Sequence, residues 1–535
     1  MPTFTVTDYA DLPADYLIEL GSSPIPVAVG EASLGQPGTH AVGASPDTPA
    51  PTGGAVVLRY SLRGWIGEPG DALQPNVPYP RRLIEPPTLV RAIRVLPEDS
   101  ARASFQSGEI RLDNTDGALD QVMGDWTMVG RPATLRRGPH RQPLRGAYSE
   151  FVPVAELRIT SAALSASGRV SIGLREAATD LAVPVSTPYA GTGGAEGDSN
   201  LTGQLRPVLM GLKRNLPVTA LLASQLVYQV SGLPLAQILA VRDRGATLTA
   251  GPNYASLEAL LVATVPQTTY ATCYAAGVLR TGSPPAGQLT VDAQGAGDSS
   301  HAGIALALLT GPGGLSADRI DTASFAALPG GPAGFYWTGG TVEAALNEVM
   351  GSAAAWWNSD RLGRIVAGRL TPPENLAPAF ALKSWMLTAE PSEVAGTAPR
   401  WRQRVAFRRV GLVQSATDLA GVAQSDPAVT AALSTAQLVA TAFYAPIAST
   451  YPSAIDPAPL VTGFDQEADA QALANMLLNL HGVRRRRWQV PVGKWGMSID
   501  VGQAGTIDHP KLAGRTWVVI ASDEAGDSKT LTLWG

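Results

Sequence analysis

Glycine and proline constrain this chain more than any motif does: 56 glycines and 43 prolines are scattered over 535 residues with no short period. A strict three-residue repeat would mean a collagen helix, whereas an irregular scatter interrupts long elements and leaves short strands between turns. The expected fold class is therefore mainly β with α+β parts. It should be multidomain, because a chain of this length exceeds one core and divides into roughly three to five units. Hydrophobic residues make up 45% and charged residues 16%, enough apolar material for those cores and too little charge for a disordered chain.

Charge and cysteine content narrow the function classes. A net charge of -5 and a pI near 5.7 exclude a surface built throughout to grip nucleic acid, although a local basic site stays open. The single cysteine, Cys273, excludes internal disulfides and multi-cysteine metal or iron-sulfur centres. It sits in an apolar run beside Tyr270 and Tyr274 and reads as a buried small hydrophobe. There is no basic segment followed by an apolar one at the start, and no run of 18 apolar residues. Neither a secretory signal nor a membrane span is expected, and the product should fold in a cytoplasm, soluble.

Catalytic signatures were sought and not found. Gly-x-Ser-x-Gly and His-Glu-x-x-His are absent, and His40, His140, His301, His481 and His509 lack partners at metal-ligand spacing, so they read as surface or capping histidines. Asn114-Thr115-Asp116-Gly117 has the glycine of a calcium loop, but Leu112 and Met123 stand where acids are needed, which leaves a turn. Gly191 to Gly197 lacks both the last glycine of a dinucleotide fingerprint and a following Gly-Lys-Ser/Thr, so it reads as a flexible connection. The expectation is no enzyme, no catalytic or metal-binding residue and no cofactor.

Taken in order, residues 1–29 hold two strand signals, Phe4-Thr5-Val6 and Tyr16 to Leu20, and residues 30–54 form a flexible Gly/Pro-rich loop. Residues 55–205 alternate short strands with turns, as a barrel does: Val56 to Tyr60, Ala103 to Gln106, Ile110 to Leu112, Ala133 to Arg136, Ala155 to Ile159 and Val170 to Leu174. Residues 206–294 form a β-rich second domain with one short helix, Ala255 to Val262. Residues 295–385 form an α/β domain. In it Ser299 or Ser300 caps a helix bearing Ile304, Leu308 and Leu309, and Thr341 caps another that Gly351 follows. A hairpin comes next, Ala355 to Ser359 and Arg364 to Leu370, turning at Asp360-Arg361-Leu362-Gly363.

Residues 386–535 contain a basic strand, Arg400 to Val410, then an Ala/Ser/Thr-rich stretch, Gln414 to Tyr451, helical in its middle. An amphipathic helix follows, capped by Asp465, with Ala470, Leu473, Leu477 and Leu480 on one stripe and Gly482 at its end. Then come Arg484 to Arg487, the strand Trp488 to Val492, the turn Asp500 to Gln503, and strands around Arg515 to Ile520 and Lys529 to Trp534. Four arginines in a strand place two on each face. They read as a solvated face, as pairs bridging to acids on a neighbouring subunit, or as a lining of a lumen through which DNA or protein passes. Arg402, Arg404, Arg408 and Arg409 carry the same alternatives.

The order helix, arginine run, strand, Val501-Gly502 turn, Val518-Val519-Ile520 and closing Leu531 to Gly535 resembles the end of tail hub proteins of tailed bacteriophages, a class similar to the trimeric hub of contractile-tail baseplates. Ile110 to Asp120 with Gly130-Arg131-Pro132-Ala133, the Gly-rich segment leading to Leu201 to Gly211, and the hairpin after the Thr341 helix resemble further segments of the same proteins. The resemblance covers most of the chain from Ala55 onward. It implies β-barrel hub domains with smaller α/β domains, a homotrimeric ring, and a place in the virion at the tail tip or baseplate. The implied neighbours are a distal tail protein, a central tip or fibre protein and a tape-measure protein, with phage DNA only in transit. The possible lumen or intersubunit contacts are Arg402, Arg404, Arg484, Arg485, Arg486 and Arg487. The alternatives are a carbohydrate-binding attachment protein, marked by exposed tryptophans, and a tail-associated cell-wall hydrolase, which needs a carboxylate pair or metal cluster that the sequence does not assemble.

Overall fold

The computed structural model describes residues 14–24, 56–140, 144–165, 167–176 and 181–535. The Phe4-Thr5-Val6 signal and the Gly30 to Gly54 stretch lie outside the described residues. The six strands expected after Ala55 all form, as does the Tyr16 to Leu20 strand. Most of them join one eight-stranded antiparallel sheet curved into a half-barrel. Its order is Val56–Ser61, Ala14–Pro24, Pro132–Pro139, Val152–Ser165, Arg169–Glu176, Ile110–Asp113 and Leu83–Glu85, and Trp126–Thr127 also pairs with the Ala14–Pro24 strand. Inward residues such as Ile18, Leu135, Ala155, Ile159, Val170 and Ile172 are at most 1% exposed and fill its core, as the period-two pattern requires.

The Ser104–Ser107 strand does not stay with that sheet. It pairs with Leu89–Ala92, and Leu89–Ala92 pairs with Trp517–Ala525 near the other end of the chain, Ala92 opposite Ala521 and Leu89 opposite Glu524. The receiving sheet is eight-stranded and runs Phe380–Lys383, Ala504–Asp508, Trp517–Ala525, Ser528–Trp534, Arg485–Pro491 and Ser392–Thr397. Its Ala504–Asp508 strand follows directly on the Asp500 turn and is additional to the strands expected from sequence.

The intervening part of the chain forms two five-stranded sheets and a helical layer. Val208–Pro217 and Leu235–Asp243, both beyond the expected strands, flank Leu289–Gly295. Cys273 is fully buried on the Thr269–Cys273 strand, as expected. Helix His301–Thr310 is capped by Ser300, whose hydroxyl accepts from the Gly303 amide, and helix Val342–Ser352 by Thr341, which accepts from the Ala344 amide. Gly351 does not end the second helix. It lies in the last turn, and the chain leaves through Ala353 and Ala354, the latter at φ +52°.

The closing helix, Glu467–His481, buries Ala470, Leu473 and Leu477 against a three-stranded sheet of Arg402–Phe407, Leu438–Phe443 and Leu460–Val461, and Leu480 against Val518, Ile520 and Trp534 of the C-terminal sheet. Asp465 is not its cap; Gln466 takes that position. The Asp465 carboxylate instead accepts two hydrogen bonds from Arg214, at 2.7 and 2.8 Å, because a bidentate charged pair outbids a capping bond to a neutral amide. The Gln414 to Tyr451 stretch is helical over Gly421–Gln424 and Pro427–Ser434, and then forms the Leu438–Phe443 strand, which is also additional to the expectation. Leu477, 1% exposed in this layer, sets a test: Leu477→Ala should lower unfolding free energy by about 2–5 kcal/mol in urea denaturation, through lost burial and the cavity left behind.

Candidate functional site

The chain turns at Asp360-Arg361-Leu362-Gly363 with Gly363 at φ +70°, a conformation that glycine adopts without a Cβ clash. That tight turn projects Arg361 sideways out of the hairpin. Its guanidinium reaches the Glu524 carboxylate at 2.9 Å and Asp500 at 3.5 Å. Lys529, fully buried, completes the far side: its ammonium lies 3.2 Å from Glu524 and donates to the Ile499 carbonyl at 2.7 Å and the Met497 carbonyl at 3.4 Å. Arg91, from the Leu89–Ala92 strand, pairs with Asp500 and donates to the Ser359 carbonyl at 3.3 Å. Three cations and two carboxylates from four separate stretches thus occupy one joint, and Asp500 forms its rim with 29% of its side chain exposed.

The half-barrel is tied to the same joint. The Glu156 amide donates to the Arg361 carbonyl at 2.7 Å. Tyr16 donates its hydroxyl proton to the Gly526 carbonyl at 2.8 Å, and Arg137 pairs with Asp527 at 2.9 Å, both on the turn between Glu524 and Lys529. Burial opposes ionisation of the two carboxyls, but Arg91 and Arg361 beside Asp500, and Arg361 and Lys529 beside Glu524, outweigh it and hold both below the usual carboxylate range. Lys529 is pushed down to about 8 by burial and by Arg361.

None of these five residues stood out in the sequence as a site. Arg361 and Asp500 lay in segments read as turns, and Lys529 at the start of a strand. One signal was present: Lys529 shares the phase of Leu531 and Leu533, the buried face of Ser528–Trp534, where a lysine needs a partner.

The arginines singled out from the sequence are dispersed. Arg402 and Arg404, two residues apart on one strand face, converge on Asp456 at 3.1 Å each, and Arg402 also stacks over Trp401. Arg485 is buried, binds Glu374 through two hydrogen bonds of 2.8 and 3.1 Å, and covers the Trp534 ring. Arg486, on the opposite face, binds Glu393 at 2.7 and 2.6 Å and lies over Trp488. Arg484 is exposed, and Arg487 is half-buried. Four of the six are therefore held by acids of their own chain.

The histidine expectation is corrected. His301, His481 and His509 are buried and not on the surface, because each fills a packed position, and His509 alone also accepts a nearby backbone amide, that of Lys511, at its ring Nδ1. His301 hydrogen-bonds the Ser352 hydroxyl at 2.8 Å and packs edge-on to Phe335 and Phe464; burial pushes its pKa down to about 4, so it stays neutral. Among the described residues no cluster of three or more His, Cys, Asp or Glu is arranged to hold a metal. The Gly191 to Gly197 segment is a closed loop and not a loose connection. Its Gly191 and Gly193 amides bond the Glu196 and Gly197 carbonyls at 2.9 and 2.8 Å, and Glu196 pairs with Arg206 at 2.6 Å. Among the described residues no helix is long and apolar enough to cross a membrane.

The chain is similar to tail proteins of known structure. No family model matches it, and no curated protein does. A chain in the virion of a native gene transfer agent particle is 14% identical with a TM-score of 0.39, over 62% of this chain and 84% of that one. A 43 kDa tail protein of prophage MuSo2 from Shewanella oneidensis is 9% identical with a TM-score of 0.33, over 84% of this chain and 93% of that one. A tail protein from Neisseria meningitidis is 12% identical with a TM-score of 0.34, over 84% and 91%. Overlaps of this depth do not establish a common fold along the chain, and the functional reading rests on the chain's own residues.

The joint has a pH signature. A carboxylate held low in the folded state adds stability that is fully present above its unfolded pKa and lost as pH falls toward its folded one. Stability measured by urea should therefore fall between about pH 4.3 and 2, and Glu524→Gln should flatten part of that fall. Arg361→Met, which leaves two carboxylates short of a partner, should cost about 3–5 kcal/mol at pH 7.

Proposed function

We propose that the protein is a structural virion component, the hub of a phage tail tip or baseplate, assembled as a homotrimeric ring. In this reading it joins the tail tube to the central tip, takes part in host attachment and genome delivery, and carries no enzymatic activity. Its neighbours are a distal tail protein, a central tip or fibre protein and a tape-measure protein, and DNA passes only in transit.

One observation carries the reading. Two of the segments that resemble tail hubs, the Trp356 to Gly368 hairpin and the Val461 to Gly535 unit, meet at Arg361, Asp500 and Glu524, and the hairpin's Arg361 carbonyl is bonded by the half-barrel. Segments far apart in sequence thus build one framework.

Open sheet edges support assembly. Among the described residues the half-barrel ends on Val56–Ser61 and Leu83–Glu85, where Val57 is 41% and Ile84 39% exposed. Leu438–Phe443 is likewise an edge, with Val439 45% and Phe443 64% exposed. Edges carrying apolar side chains favour pairing with another chain. Arg484, and the outer surfaces of the Asp456 and Glu393 pairs, are the part of the basic set placed to meet a neighbouring subunit or a lumen.

A tryptophan pair, exposed Trp385 against half-buried Trp495, keeps the carbohydrate-binding alternative in view. Their rings stand at 84° to each other, so they offer one stacking face and not a flat platform.

Light scattering decides between the readings. The hub reading expects three times the monomer mass, either alone or once neighbouring tail proteins are added, and Phe443→Asp or Val57→Asp should shift the protein toward monomer. A monomer indifferent to those proteins and retained on cell-wall sugars would overturn it.

A further inference from the structure

A cleft of about 620 Å³ opens between helix Val342–Ser352, strand Gly334–Trp337 and the Leu460 to Gly463 segment. Ligand sites of this size are commonly concave and mixed, with an apolar floor and a few convergent polar groups. Here Phe335 supplies apolar wall, and Arg94, Lys213 and Arg409 bring positive charge from three separate parts of the chain. Among the described residues the only carboxylate lining the cleft is Glu348, one of whose oxygens is already occupied by the Trp337 indole N–H at 2.7 Å.

The position of Lys213 is built by the fold. The Val208–Pro217 strand shifts register between Lys213 and Leu216, and Asn215 there takes φ +48°. Arg214 is pulled to Asp465, and the Asn215 amide to Asp292 at 2.8 Å. Lys213 is thereby directed into the cleft. Among the described residues neither Lys213 nor Arg409 makes a salt bridge or side-chain hydrogen bond, and Arg94 donates only to the Leu96 and Ala355 carbonyls. Burial, reinforced by Arg409, lowers the Lys213 ammonium to about 8, so its charge is costly while the cleft is empty. The wall opposite is fixed: Ser352 bonds His301 on one side and accepts from the Gly463 amide, at 2.8 Å, on the other.

We infer that this cleft binds a multiply charged oxyanion, a phosphate or polycarboxylate compound, whose oxygens meet Lys213, Arg94 and Arg409 and whose body lies against Phe335. A converging set of guanidinium and ammonium donors with one preoccupied carboxylate matches that chemistry and disfavours cations. The inference does not depend on the oligomeric state and goes beyond the assembly role.

Isothermal titration calorimetry on the full chain tests it, with inorganic pyrophosphate and citrate as separate probes at constant ionic strength. One saturable site per chain is expected for at least one of them; pyrophosphate alone would indicate a phosphate ligand, and citrate binding would admit carboxylates. Lys213→Met should weaken that binding at least tenfold, and Arg409→Gln, at an exposed side chain that leaves folding intact, several-fold. Glu348→Gln, which keeps an acceptor for Trp337, should tighten it. No saturable binding of either probe, or binding unchanged in both Lys213→Met and Arg409→Gln, would overturn the inference.

Discussion

A guanidinium largely withdrawn from water must be matched by carboxylates, and Arg361 is matched only by residues from distant parts of the chain. Glu524 and Asp500 lie on either side of it, Lys529 backs Glu524, and Arg91 backs Asp500. Each carboxylate is answered by two cations, and removing Arg361 takes one partner from both, so the arrangement is complete only when the hairpin, the Leu89–Ala92 strand and the C-terminal sheet are all in place. The half-barrel then docks through the Arg361 carbonyl and the Gly526 turn. Geometry specifies this joint more than it strengthens it, since well-packed apolar side chains could hold the same surfaces together at less desolvation cost.

Local features were legible in the sequence because their causes are local. A hydroxyl three residues before a helical amide caps a helix whatever surrounds it, and Ser300 and Thr341 do so. Gly363 permits its turn by backbone sterics alone, and the Leu473, Leu477 and Leu480 stripe needs only a 3.6-residue period. Misreadings arose where a distant residue decided the outcome. Asp465 looked like a cap until Arg214, 251 positions away, claimed it. The three buried histidines looked like surface residues because nothing in their neighbourhood shows what will cover them. The joint was invisible for the same reason: its charges are ordinary in sequence, and only the pairing of Leu89–Ala92 with Trp517–Ala525 brings them together.

The proposed structural virion role fits this division of labour. Short strands with frequent turns build several compact sheets, ion pairs at their junctions set how the sheets meet, and among the described residues edge strands such as Leu438–Phe443 carry exposed apolar side chains. Four of the six arginines singled out from the sequence are spent inside the chain: Arg402 and Arg404 share Asp456, and Arg485 and Arg486 pair bidentately with Glu374 and Glu393. The cationic cleft around Lys213 stands apart from this economy, because among the described residues Lys213, Arg94 and Arg409 make no salt bridge and face a single lining carboxylate, Glu348.

The measurement that bears most directly on this account is native-state hydrogen exchange across the joint. If Arg361 and its partners bind the parts into one unit, amides of Leu89–Ala92 and Trp517–Ala525 will exchange only through a shared opening, at matching rates, and Arg361→Met will accelerate both together. Leu89–Ala92 exchanging about 100-fold faster than its partner strand, with Arg361→Met affecting neither, would show that the sheets merely touch and would contradict it.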